Sequence, residues 1–145
     1  MKEGNEKPVS LLPLNIPHNL KLISYGVNDK YIYTLHEDKK VRIFDAKSFE
    51  QVRILSLSLF ASEIAISLLN LNIDSTLIST THGMILLNHQ TNAISRMDIY
   101  DEKTKKNINV EIYNIYKSKK NDLFFMSSAI NSLYKYNYVK KRYEK

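Results

Sequence analysis

Tyr31-Ile-Tyr-Thr-Leu35, His36-Glu-Asp-Lys-Lys40 and Val41-Arg-Ile-Phe44 decide the fold of this chain. The outer two segments are β-branched and aromatic, and the chain around them alternates in polarity, the habit of a strand on a pleated, half-buried surface. The polar pentad between them has room for a turn and little else, so the two strands pair antiparallel. Ahead of this hairpin, Leu20-Lys-Leu-Ile-Ser-Tyr25 leads through a turn at Gly26 to Lys30. Behind it, Asp45-Ala-Lys-Ser48 leads into Gln51-Val-Arg-Ile-Leu55. Four short strands with tight links make an antiparallel meander.

The pattern recurs twice. Glu63 to Leu69, Ser75 to Ser79, Met84 to Leu87 and Ala93 to Met97 form a second set. Val110 to Tyr116, Leu123 to Ser127 and Leu133 to Tyr136 begin a third, which passes through Ser128 to Asn131 and ends in the basic run Val139 to Lys145. Phe44, Leu87 and Tyr136 close the third strand of each set, 43 and 49 residues apart. Four strands repeating every 40–45 residues or so is the period of a propeller blade. The expected fold is therefore all-β: a partial β-propeller of about three four-stranded antiparallel blades. They are placed at residues 20–57, 60–100 and 108–145, after an extension at 1–19. The hydrophilic run Asp101 to Asn107 accounts for the longer second interval and is expected to be a loop between blades two and three. Leu57 to Leu69 also carries apolar residues at helical spacing, but its serines and its place in the repeat favour strand.

Asp38-Lys39-Lys40-Val41-Arg42-Ile43-Phe44-Asp45 resembles a WD40 repeat: an Asp, two turn residues, then an alternating strand, with Phe44 in place of the family's Trp. His18 falls near the family's Gly-His dipeptide, but Pro17 precedes it. The second set departs from the motif, with Thr81 in the Asp position and Leu87-Asn88 at the end, and the third ends Tyr136-Asn137. The chain holds no Trp, so the family's buried His–Asp–Ser/Thr–Trp hydrogen-bond set cannot be complete. The resemblance implies a binding scaffold with structural use of Asp38 in its turn. Three blades fall short of the four to eight that close a ring. The remainder is expected from the same gene, which ranks first, from another chain, or from a second copy.

Composition excludes several classes. There is no cysteine, hence no disulfide framework, thiolate metal site or thiol nucleophile. The start carries Lys2, Glu3, Glu6 and Lys7 in place of a signal peptide's apolar run, and no segment is apolar enough to cross a bilayer as a helix. A soluble intracellular protein without membrane attachment is expected. With only 3 Gly and 3 Pro, Asn takes over part of the turn role.

No catalytic centre is read from the residues. Gly4, Gly26 and Gly83 are too far apart for a phosphate loop, and there is no Gly-x-Ser-x-Gly elbow. His82 and His89 lie at opposite ends of one strand, and His36-Glu37-Asp38 reads as a solvated turn. Asp98, Asp101 and Glu102 sit among lysines in a charged loop. Enzyme activity, a metal and a cofactor are all expected to be absent.

What remains is surface. Binding is assigned to Asn28-Asp29-Lys30, to His36 through Lys40 and to Asp101 through Asn107, with Asp29, Lys40 and Arg42 as single candidates. Net charge is +6. Near the C-terminus Tyr134, Tyr136 and Tyr138 interleave with Lys135, and Lys140, Lys141 and Arg142 follow; Lys117, Lys119 and Lys120 form a second basic stretch. Aromatics beside cations can stack on bases and hold phosphates, but a tyrosine-faced strand packed on its neighbour, with a solvated basic tail, is the favoured explanation, since aromatic residues are common in any sheet. The expected function is a protein–protein interaction scaffold. The alternative is an RNA- or DNA-associated component of a large assembly, working through the basic C-terminal patch.

Overall fold

The computed structural model describes residues 14–120, 122–127, 132–137 and 139–145. Most of the extension, the segment Ser128 to Asn131 and Tyr138 lie outside the described residues. Blade one comprises β1 (Leu22–Val27), β2 (Tyr31–His36), β3 (Lys40–Asp45) and β4 (Gln51–Ser56). Blade two comprises β5 (Ala65–Asn72), β6 (Ser75–Thr80), β7 (Gly83–Asn88) and β8 (Ile94–Arg96). Then come β9 (Ile99–Asp101), β10 (Lys106–Asn107), β11 (Asn114–Lys117), β12 (Leu123–Ser127), β13 (Ser132–Asn137) and β14 (Arg142–Glu144). The first two sheets run in sequence order, β1-β2-β3-β4 and β5-β6-β7-β8, with every pair antiparallel. The architecture is a partial β-propeller of three blades, and the ambiguous stretch before Leu69 becomes a linker followed by β5.

The same turn chemistry closes all three blades. Asp45 Oδ1 accepts the N–H groups of Lys47 and Ser48 at 2.8 Å each. Asn88 Oδ1 accepts those of Gln90 and Thr91, and Asn137 Oδ1 those of Val139 and Lys140. A side-chain oxygen that mimics a backbone turn is the Asx device, and Asn serves as well as Asp. The ends Leu87-Asn88 and Tyr136-Asn137 thus keep the function of Phe44-Asp45. With glycine scarce, bulky residues occupy left-handed turn positions: Lys39, Phe49, Asn92, Lys105 and Lys141 all have φ between 53° and 62°.

Strand alternation sends one face of each blade to its neighbour. Tyr33, Leu35, Val41 and Ile43 of blade one pack with Ala65, Leu68, Ile78, Ile85 and Leu87 of blade two. The inner strands β1 and β5 come close at Gly26, where a Cβ would stand 2.9 Å from Leu68 Cδ2. The opposite face of blade two, with Leu77 and Met84, packs on Ile99, Phe125, Tyr134 and Tyr143. Leu14 and Ile16 of the extension lie with Ile32 and Phe44 on the outer face of blade one.

Blade three departs from expectation in two ways. Its first strand starts at Asn114, because Val110 and Ile112 are buried against blade two in irregular chain, with Ile112 N–H donating to Thr80 C=O at 3.1 Å. The run Asp101 to Asn107 is not a loop between blades. Its ends belong to the hairpin β9–β10, and β9 pairs in parallel with β14, extending blade three to six strands in the order β10-β9-β14-β13-β12-β11. The charges of that run face water, while its backbone covers the edge of β14 and leaves the short β10 as the outer edge of the last blade.

Candidate interaction surface

Antiparallel order within each blade puts the β1–β2 and β3–β4 turns at one end and the β2–β3 turn at the other. Contacts across the junctions align these ends. Asn28, in the β1–β2 turn, donates to Asn70 Oδ1 near the β5–β6 turn at 3.2 Å. Lys117, at the end of β11, donates through Nζ to Leu71 C=O at 2.6 Å. An upper rim therefore carries the β1–β2, β3–β4, β5–β6, β7–β8, β11–β12 and β13–β14 turns, and a lower rim carries the remaining turns and the linkers.

The basic candidates converge. Lys119 and Lys120 stand exposed in the β11–β12 turn, and Lys140 and Lys141 stand exposed in the β13–β14 turn. The β12–β13 and β13–β14 registers bring both turns to the upper rim of blade three. Lys140 also reaches Glu144 at 3.0 Å. Arg142 is drawn away from the patch. Its guanidinium lies 3.7 Å from the Tyr100 ring centre on β9 and pairs with Glu144, so it ties the added hairpin to blade three. Lys117 likewise joins blades two and three.

The other candidates separate. Asp29 is exposed on the upper rim beside Asn28, whose side chain accepts the N–H groups of Lys30 and Tyr31. Lys40 is half-buried at the start of β3 on the lower rim. Arg42 is not an exposed binding residue: it is 5% exposed and holds Asp38 through two bonds, of 2.7 and 3.2 Å. Burial would raise the Asp38 carboxyl, but the Arg42 guanidinium and the Lys40 N–H bring it below its ordinary value. His36, expected in a solvated turn, is 1% exposed. Alternation places it with Ile32 and Thr34 on the outer face of blade one, and burial together with Arg42 lowers its pKa. The stretch from Asp101 to Asn107 joins Lys40 on the lower rim, so the three favoured loops do not make one surface.

Two clusters were not read from the sequence. Tyr33, His89 and Thr76 form a buried chain between blades one and two, with Tyr33 Oη 3.2 Å from His89 Nδ1 and Thr76 Oγ1 2.9 Å from His89 Nε2. Asn28 donates to Tyr33 Oη and Asn70 donates to Thr76 Oγ1, which extends the chain to the upper rim. The Tyr33 and His89 rings stack at 4.7 Å, and burial lowers the His89 pKa. On the lower rim, Glu63 is fully buried in the linker between blades one and two. It accepts a bidentate pair from Arg96, the Thr80 hydroxyl and the Phe60 N–H. Burial pushes its carboxyl up, yet these donors more than offset that and hold it at about 2. Nothing in strand alternation marks such clusters, because their members come from strands, turns and a linker far apart in sequence. Among the described residues, no group of three or more His, Asp or Glu side chains is placed to hold a metal ion.

No protein-family model and no curated protein sequence matches the chain. Solved structures do resemble it. The computationally designed protein Ika4 aligns at a TM-score of 0.67 and 10% identity, over 96% of this chain and 79% of its own. Virginiamycin B lyase from Staphylococcus aureus aligns at 0.64 and 8%, over 86% of this chain and 40% of its own. U3-55K aligns at 0.64 and 10%, over 90% and 40%. The chain spans only 15% of the extracellular domain of the B. thetaiotaomicron system BT4673, which it matches at a TM-score of 0.59 and 15% identity. Identities this low speak for the fold alone. The class they define with the three meandering sheets is the β-propeller-like protein, here as a partial ring.

Proposed function

We propose that the chain is a non-catalytic, WD40-like interaction scaffold inside the cell that presents its upper rim to a protein partner. The observation that carries this reading is the repeated Asx turn at Asp45, Asn88 and Asn137, which pins one rim of all three blades in place. The residues that these rigid turns present vary from blade to blade: Lys47 and Phe49, then Gln90, then Val139, Lys140 and Lys141. Rigid scaffolds with variable loops are where binding residues concentrate.

The convergence of Lys119, Lys120, Lys140 and Lys141 on that rim favours a second reading, contact with a nucleic-acid backbone. One experiment separates the two. Wild type and the variant with these four lysines changed to Glu are used to capture protein from lysate and to titrate random single-stranded RNA over a salt series. The scaffold reading expects captured protein to be lost in the upper-rim variant and kept in a lower-rim variant, Lys40→Glu, with no RNA binding at low salt. The second reading expects RNA affinity that falls with salt at a log–log slope of about −0.7 per phosphate contacted. Capture indifferent to either rim, with no RNA bound, overturns both.

A further inference from the structure

Leu14 to Lys21 repeats the inter-blade linker Leu57 to Ile64. Ile16 N–H donates to Leu14 C=O at 3.0 Å, as Leu59 does to Leu57 at 2.9 Å. Leu20 N–H donates to Pro17 C=O at 3.2 Å, as Glu63 does to Phe60 at 3.0 Å. Lys21 C=O then accepts from Glu37, as Ile64 C=O accepts from Thr81, each at 3.0 Å. Leu57 and Leu59 do this between two blades, within the core that joins them. Leu14 and Ile16 do it on the outer face of blade one, where no described blade precedes them.

That face matches the packed face of blade two position by position. The strand registers set Tyr25 opposite Thr34 as they set Leu68 opposite Ile78, and Ile32 opposite Phe44 as Thr76 opposite Leu87. Leu68, Ile78 and Leu87 are buried against blade one, whereas Tyr25 and Val27 remain 55% and 54% exposed. The Thr34 hydroxyl and His36 Nδ1 are buried there without a hydrogen-bond partner. At the far end of the arc, blade three turns Tyr116 and Leu133 away from blade two, 62% and 54% exposed.

We infer that the outer face of blade one receives blade three of a second copy of this chain, and reciprocally, so that two chains close a six-bladed ring. Each blade already has its four strands, so the arc lacks whole blades and not a strand. Both halves of the missing junction lie on this one chain, and a two-fold axis satisfies both at once with no face left open. Three blades from each copy fall within the range of closed propellers. This goes beyond the scaffold reading and does not depend on it.

The test is light scattering on the full 145-residue chain, whose mass is 16.9 kDa. The expected result is one species at twice that mass. A folded monomer, or a polydisperse population, overturns the inference. The inner-strand positions place Tyr25 of one copy against Tyr116 of the other. Tyr25→Glu and Tyr116→Lys are each expected to weaken the dimer by about tenfold or more, and the chain carrying both is expected to regain it through opposite charges. If the single variants keep the wild-type mass, or the double variant stays monomeric with native circular dichroism, the inference fails.

Discussion

The two junctions of this molecule share apolar packing and differ in what is added to it. Blades one and two share an apolar core that includes Leu35, Val41, Ile43, Leu68, Ile78 and Leu87. They add directed bonds to it: the Asn28–Tyr33–His89–Thr76–Asn70 chain on the upper rim, and on the lower the Glu63–Arg96 pair that fastens their linker to blade two. Blades two and three meet around aromatic bulk. Phe125 stacks on Tyr134 at 4.8 Å and meets Tyr143 edge-on at 4.8 Å, and Tyr143 Oη points at Met84 Sδ at 3.3 Å. Apolar packing tolerates small shifts in angle, whereas a buried polar chain demands one register and costs heavily when one member is missing. Both junctions have an apolar core; the first adds a register-specific polar chain, and the second adds aromatic bulk.

The largest break is expected at the second junction. Tyr143 is fully buried, so Tyr143→Ala should cost about 3–5 kcal/mol in urea unfolding, with the cavity added to the lost contacts. A cost below 1 kcal/mol or so would mean that the aromatic cluster does not hold blade three.

Next comes the lower rim of the first junction. Glu63 falls from its ordinary 4.5 to about 2 in the folded chain. A depressed carboxyl stabilises above its unfolded value, so the contribution is complete above pH 4.5 and disappears as pH falls toward 2. The shift corresponds to about 3 kcal/mol, less where Arg96 meets solvent. Glu63→Gln should therefore lose about 2–3 kcal/mol at pH 7 and flatten the acid limb of the stability curve. An unchanged acid limb would remove Glu63 from that role.

The polar chain on the upper rim should yield less. Tyr33→Phe keeps the stack on His89 and deletes only the hydroxyl, at a cost of about 1–3 kcal/mol. His36 and His89 both have lowered pKa values. Neutral imidazole is the folded form, so stability is full above pH 6.5 or so and declines as pH falls below it. Denaturation midpoints at neutral and mildly acidic pH should show this decline, and Tyr33→Phe should alter it. A flat profile from neutral pH down to about 5 would contradict the burial of both rings.

The smallest effect is a gain. Phe49 sits at φ 62° and 42% exposure, in the turn position that Asn92 fills in blade two. Asn accepts the left-handed region more readily, so Phe49→Asn should raise stability by up to about 1 kcal/mol in thermal melts. A loss there would show that Phe49 packs in a way its exposure conceals.

The strands of blade one were legible, since Tyr31 to Leu35 and Val41 to Phe44 are β-branched and aromatic runs between polar turns, although the burial of His36 and Arg42 was not. Blade three was less so. Val110 and Ile112 look like strand residues because burial in irregular chain and burial in a sheet select the same side chains. Asp101 to Asn107 looks like a loop because an outer-edge hairpin exposes its side chains while its backbone pairs. Arg42 looks exposed because alternation marks which face a residue takes and not whether an Asp four positions earlier draws it inward.

By itself the sequence determined the class: strands of period two, a repeat of 43 and 49 residues, and an Asp or Asn closing each third strand. Those are local signals, set by pleat geometry and turn chemistry within a few residues. Only the tertiary structure decided which charges meet. The convergence of Lys119, Lys120, Lys140 and Lys141, the capture of Glu63 by Arg96 and the burial of His89 against Tyr33 join residues 20 to 60 or so positions apart, and sheet register with blade packing is what brings such distant residues together.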